Sequence, residues 1–212
     1  MRTLKTELDL KSWSRYEHFK FFSAFDEPFF GTTVRLDCTQ TYKTAKRNQA
    51  SFFLSYLHKS LVAANSIANF RYRIEDGKVF EYERIDASPT INRADGTFGF
   101  SYLKFDKDFN TFRDLALPVI QEVWESKGLV PGTAGQNVIH YSSLPWLDFT
   151  SVSHARHFSF GDSCPKISFG KMTKTKDGFE FPVSVHVHHA LVDGIHVGQF
   201  VERFQELLNQ VE

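Results

Sequence analysis

The run Val185–Phe200, V-H-V-H-H-A-L-V-D-G-I-H-V-G-Q-F, constrains the chain more than any other. It starts with the two-residue alternation of a strand and turns at Asp193-Gly194. It continues into a helical stripe of Val197, Phe200, Val201, Phe204, Leu207, Leu208 and Val211. Four of the nine histidines lie inside it. His189 and Asp193 fall where the strand gives way to the turn, a place where a side chain is both rigidly held and reachable.

The rest of the chain supplies partners for that unit. Ser14 to Ala24 reads as a short helix, with Ser14 and Glu17 at capping-box spacing and Tyr16, Phe19 and Phe22 on one face. Thr32 to Cys38 alternates as a strand, with Val34, Leu36 and Cys38 facing one way. Ser51 to Ala68 places Phe53, Leu54, Leu57, Leu61, Ala64 and Ala68 at helical spacing. Phe70 to Ile74 and Val79 to Tyr82 form a hairpin about Asp76-Gly77. Thr97 to Phe105 is a further strand. Asn110 to Ser126 is helical, and Pro118 predicts a kink or two pieces. Lys127 to Gln136 is a loop. Strands follow at Asn137–Ser142, Phe149–Phe158, Lys166–Met172 and Phe179–His188, the last two joined at Asp177-Gly178. Helices interspersed with strands and hairpins give an α+β fold, a mixed α/β two-layer sandwich. With no linker or repeat, residues 1–212 read as a single domain.

Composition narrows the function classes. Lys+Arg and Asp+Glu are equal at 25 each, so no basic field draws the chain to nucleic acid or to a membrane surface. The 23 phenylalanines suit a core, a subunit interface or an apolar pocket. Cys38 and Cys164 are the only cysteines and have no paired spacing, which argues against a disulfide framework or a cysteine-based zinc site. The N-terminal segment lacks the apolar core of a signal peptide, and no run approaches the ~18 apolar residues of a membrane span. A cytoplasmic protein is expected.

His186, His188 and His189 invite a metal, but in a strand the first two face one side and His189 the other. No metal is expected. His189 with Asp193 gives H-x-x-x-D-G, which alone is compatible with a plain Asp-Gly turn. A functional histidine there would need its tautomer fixed at one nitrogen and the other turned to a substrate.

At these residues the chain resembles the chloramphenicol acetyltransferase family. His188 to Val197, H-H-A-L-V-D-G-I-H-V, is similar to the family signature H-H-A-x-x-D-G-x-H-V. Trp13 to Phe19 resembles W-x-R-x-E-H-F, and Ser142 to Trp146 resembles S-x-x-P-W. The three motifs stand in family order and span nearly the whole length. The resemblance implies a chloramphenicol acetyltransferase-like, CoA-dependent acyltransferase fold and direct acetyl transfer from acetyl-CoA to a hydroxyl acceptor. It implies a homotrimer with sites shared between subunits.

By position, His189 matches the general base, whose ring the family locks through its own backbone carbonyl. Ser142 matches the oxyanion donor. Asp193 and Arg15 match a supporting ion pair. Phe22, Phe30 and Phe98 match acceptor-pocket aromatics, and Ser168 matches a threonine reaching substrate through water. Lys171 matches a lysine near the CoA phosphates. The chain departs at Val152 and His154, where family members have Phe and Leu. That departure leaves open a different hydroxylated metabolite or xenobiotic as acceptor. A catalytically silent binding homologue is the remaining alternative. The acyltransferase domain of 2-oxo-acid dehydrogenase complexes shares H-x-x-x-D-G but follows lipoyl and binding domains.

Overall fold

A computed structural model describes residues 4–129, 135–157 and 161–211. In chain order the elements are β1 (Lys5–Glu7), α1 (Tyr16–Phe22), β2 (Phe29–Asp37), α2 (Thr39–Arg47), α3 (Phe52–Asn65) and α4 (Ala68–Arg71). Then come β3 (Tyr72–Glu75), β4 (Lys78–Tyr82), β5 (Asp86–Asn92), β6 (Phe98–Phe100) and α5 (Phe109–Glu125). The chain closes with β7 (Val138–Ser143), β8 (Lys166–Phe169), β9 (Thr173–Lys174), β10 (Phe179–His188) and α6 (Gly194–Asn209).

The main sheet runs β2-β10-β8-β7-β5-β6, with β9 paired to β10 beside that path, and β1-β4-β3 forms a second small sheet. Parallel pairing of β7 with β5 and with β8, and antiparallel pairing elsewhere, makes the mixed sheet the sequence suggests. Strand alternation divides its two faces. Phe181, Val183, Val185 and Val187 of β10 are buried, and Phe181 meets the rings of Phe52 and Tyr56 on α3. Phe169 on β8 likewise meets Phe204 on α6. The alternate residues Ser184, His186 and His188 face away from these helices.

The phenylalanine load goes largely into this core. Phe70, Phe112, Phe169, Phe181, Phe200 and Phe204 are each no more than 2% exposed. Full burial of such a side chain contributes roughly 1.5–3 kcal/mol. The stripe on α6 is real except at Val211, which lies past the helix end and is exposed.

Several expectations change. The start of α1 is capped by the backbone at Arg15, with no side-chain cap from Ser14, and Arg15 itself is drawn away to Asp193. Phe70 and Arg71 are helical, in α4, so the strand begins only at Tyr72; Arg71 Nη1 donates to the Asn65 carbonyl at the end of α3. The hairpin after it keeps Asp76 and Gly77 at positive φ, as its Asp-Gly pair requires. The strand at Thr97–Phe105 shortens to β6 plus one bridge at Leu103. Pro118 does not split α5. Pro118 and Asp114 are both exposed, so the carbonyl that proline leaves unpaired faces solvent. Part of the 127–136 loop lies outside the described residues.

Phe149–Phe158 is the largest correction, since residues 149–157 form no strand and Phe158 lies outside the described residues. Its alternation is nevertheless physical. Val152, His154 and Arg156 are half-buried, while Ser151, Ser153, Ala155 and His157 are exposed. The segment lies extended with one edge inward, anchored by side chains and not by a ladder. The polar helix α2 and the edge strand β1 carry too few apolar residues to be seen in the sequence pattern.

Candidate active site

β10 carries the chain to His188, where the ladder with β2 ends opposite Phe29. The next amide, His189 N–H, donates to the Pro28 carbonyl at 2.8 Å, fixing the exit from the sheet. Leu191 and Val192 N–H both donate to the His188 carbonyl, at 2.9 and 3.0 Å, and close a tight turn. Asn69 Nδ2 donates to the Leu191 carbonyl at 2.8 Å, and the Asp193 N–H donates to His196 Nδ1 at 2.9 Å. The turn is therefore tied to α4 on one side and to the first turn of α6 on the other.

Arg15 adds the third tie. Its Nη1 and Nη2 donate to the two carboxylate oxygens of Asp193, the second at 3.0 Å. Nη2 also donates to the His189 carbonyl at 3.1 Å. Hydrogen bonding from Arg15 holds the Asp193 carboxyl below its ordinary range. The planar fork grips both carboxylate oxygens while one of its nitrogens also reaches the carbonyl, a bidentate geometry that the single nitrogen of a lysine lacks.

The His189 ring lies nearly flat on Phe22, centroids 3.9 Å apart at 12°, and tilts against Phe30 at 4.5 Å. Its Nδ1 is buried, 3.2 Å from Asp193 Oδ1 but outside hydrogen-bond geometry, and makes no hydrogen bond among the described residues. The bond to its own carbonyl implied by the resemblance is thus absent here. That carbonyl is engaged by Arg15, and aromatic stacking orients the ring. The side chain is 33% exposed although Nδ1 is buried, so its open edge is the one that includes Nε2.

The other expected residues form a second group. Ser142, Ser168 and Ser184 are register partners across β7, β8 and β10, a serine row on the face turned away from α3 and α6. Ser168 is fully buried, and its Oγ has no partner among the described residues. The adjacent Ser143 points the opposite way, with its Oγ 3.0 Å from Tyr56 Oη. His189 lies five residues beyond Ser184 on a strand two removed from that of Ser142. At ~3.3 Å per residue that is roughly 16 Å along the sheet and about 10 Å across it. One chain therefore does not bring Ser142 and His189 together. Phe98 stands on β6, at the far edge of the sheet from β2, is 43% exposed and packs on Phe100. Lys171 follows β8 and is exposed; its N–H donates to the Leu147 carbonyl at 2.8 Å.

Val152 and His154 lie on the extended segment over the serine-bearing face. His154 stands edge-on to the His186 ring, with the centroids 4.8 Å apart. Arg156 pairs with Glu27 and covers the Phe29 ring. Burial and the neighbouring His186 lower His154 to about 4, so it is neutral near pH 7. The sequence reading missed the support given by His186 and by Gly31 opposite it. A Cβ on Gly31 would lie 2.2 Å from His186 Nε2. A glycine inside a strand is the available signal for such close approach.

Two further features bear on ligands. A cavity of about 540 Å³ opens between α3 and α5, lined by Phe52, Phe53, Leu117, Trp124, Ser143 and Pro145 among others. It is largely apolar and adjoins the chain immediately after Ser142. Ligand atoms of His140, Asp162 and Cys164 lie within 4.8 Å of one another. Lys166 is bonded to Asp162, however, and the buried Arg73 acts on Cys164, so two cations already oppose a divalent ion there.

Comparison with known proteins gives one consistent result. A family profile described as "Chloramphenicol acetyltransferase" matches residues 4–205. A curated "Chloramphenicol acetyltransferase 3" from Escherichia coli is 30% identical over 207 residues, 96% of this chain and 97% of its own. A "Chloramphenicol acetyltransferase" from Proteus mirabilis is 28% identical over 204 residues, covering 96% and 94%. A solved chain called "chloramphenicol acetyltransferase" superposes with a TM-score of 0.90 at 31% identity, over 97% of this chain and all of that one.

Proposed function

The chain belongs to the chloramphenicol acetyltransferase family, and from that premise we propose that it is an acyltransferase moving the acetyl group of acetyl-CoA onto a hydroxyl of chloramphenicol. The observation that carries the mechanism is the His189 ring, stacked on Phe22 with Nδ1 buried and its Nε2 edge open. In this reading Nε2 takes the proton of the acceptor hydroxyl as its oxygen attacks the thioester carbonyl. A C–O bond forms, and the carbonyl becomes a tetrahedral oxyanion that accepts a hydrogen bond from Ser142 Oγ. The C–S bond then breaks, the acetyl ester is left on the acceptor, and the sulfur leaves with the proton held by His189. Positioned general-base assistance contributes about 10²–10⁴-fold. One oxyanion donor contributes roughly 2.7–4 kcal/mol.

Asp193 and Arg15 position the turn and do not touch the acceptor. Phe22, Phe30, Phe98, Val152, His154 and Ser168 contribute to the acceptor site. The apolar cavity beside Ser143 and Pro145 suits the pantetheine arm of CoA, with Lys171 near its phosphates. The separation of Ser142 from His189 within one chain favours a homotrimer in which His189 of one copy faces Ser142 of the next. We take residues 1–212 as one catalytic domain acting in the cytoplasm; among the described residues no helix is long and apolar enough to cross a membrane. Incubation with acetyl-CoA and chloramphenicol should give one free thiol per acetyl ester, identified by mass. Thiol release without an acetylated product would refute the reading.

A further inference from the structure

The carbonyls of the turn between β10 and α6 are held in two ways. Those of His188 and Asp193 accept local amides, from Leu191 and Val192 at the first and from His196 and Val197 at the second. Those of His189 and Leu191 are taken by side chains from far along the chain, Arg15 and Asn69. Asn69 Nδ2 donates to the Leu191 carbonyl at 2.8 Å, 122 positions away in sequence. A carbonyl partner decides which end of the amide faces the turn, since only its NH2 donates.

Asn69 is itself firmly placed. It lies on α4 beside Phe70, which is fully buried and stacks on Phe200 of α6 with centroids 5.0 Å apart at 24°. On its other side Arg71 reaches back to the Asn65 carbonyl at 2.7 Å. Ala190, Leu191 and Val192 are each no more than 2% exposed, so water has little access to the Leu191 carbonyl if the amide is removed. The His189 ring lies flat on Phe22. A flat stack resists tilting more than sliding in its own plane, so the main chain of the turn decides where Nε2 stands along Phe22.

We propose that Asn69 is a positioning residue for acetyl transfer: by holding the Leu191 carbonyl it fixes the main chain of the turn, and through it the place of His189 Nε2 relative to the acceptor hydroxyl. This rests on the acetyltransferase reading above. A base must come within about 2.6–3.2 Å of the group it deprotonates. A misplacement of about 1 Å costs on the order of 10²-fold. Asn69 touches neither substrate in this role.

The test measures acetyl transfer from acetyl-CoA to chloramphenicol by the parent and four variants. Asn69→Leu keeps the volume without the donor, Asn69→Ala removes the same bond with less to repack, and Asn69→Gln keeps an amide on a longer stem. Val79→Ala, in the buried face of β4 in the small sheet, lowers stability away from the turn. In Asn69→Leu and Asn69→Ala kcat should fall about tenfold or more. KM for both substrates should stay within about twofold, because the lost interaction serves the transition state. Asn69→Gln should recover most of kcat, and Val79→Ala should keep the parent kcat despite a lower urea midpoint. Unchanged kcat in Asn69→Leu and Asn69→Ala, a loss confined to KM, a loss that Val79→Ala reproduces, or no recovery in Asn69→Gln would each overturn the inference. If Asn69→Leu does not fold, Asn69→Ala and Asn69→Gln decide it. Those results with an active parent refute this inference alone; an inactive parent refutes the acetyltransferase reading, and this inference with it.

Discussion

Arg15 grips both carboxylate oxygens of Asp193, and its Nη2 also donates to the carbonyl of His189. One guanidinium thus joins the N-terminal helix to the turn that presents the histidine, 174 positions further along the chain. Removing it strands a carboxylate beside the imidazole. Arg15→Ala should lower stability by somewhat less than the roughly 3–5 kcal/mol typical of fully buried pairs, since Asp193 is partly open to solvent. Arg15→Lys keeps the charge without the fork, so it should retain more stability than Arg15→Ala while still losing turnover. Urea midpoints read beside initial rates separate the two effects.

The acid dependence of stability has a defined direction. Burial pushes His154 and His188 down to about 4 from an ordinary 6.5. Between those values the unfolded chain binds more protons than the folded one, so stability is complete above pH ~6.5 and falls as pH drops toward 4. Asp193, also depressed, extends the loss to lower pH as its own folded value is passed. Urea midpoints measured from pH 7 to pH 4 should fall throughout, and His188→Gln should shallow the slope.

Gly31 and His186 are coupled by space. Gly31→Ala places a Cβ against the imidazole and should cost about 1–3 kcal/mol, the usual range for overpacking. In a His186→Ala background the same change should cost far less. Thermal melts of the four proteins give the coupling, and additive losses would show that the ring is not the obstacle.

The two halves of the proposed site lie far apart in one chain, which makes a complementation measurement decisive for subunit sharing. His189→Ala and Ser142→Ala should each be crippled as homo-oligomers. Unfolded together and refolded as mixed oligomers, they should regain activity, because some interfaces pair an intact histidine with an intact serine. No gain on mixing would place both residues in one subunit's site.

What could be read in the sequence depended on how local its cause was. The 185–200 run fixes its own strand, turn and helix through periodicity and an Asp-Gly pair, and these appear as β10 and α6. Spacing alone gave no reason to connect Arg15 to Asp193; only the family resemblance did. The 149–157 segment misled because one-sided burial of an extended chain produces the same alternation as a paired strand. Pro118 misled in the other direction, since the rule against helical proline weakens where the orphaned carbonyl faces water. The support of His186 by Gly31 is a contact between strands, and a single sequence marks it only by a glycine in an unexpected place.

The general-base role of His189 is tested most directly by the rate at which free thiol appears from acetyl-CoA and chloramphenicol with the parent protein and with His189→Ala. It predicts steady release by the parent and a loss of at least about 10²–10⁴-fold in the variant, with folding and oligomeric state unchanged. Equal rates in the two proteins would contradict it.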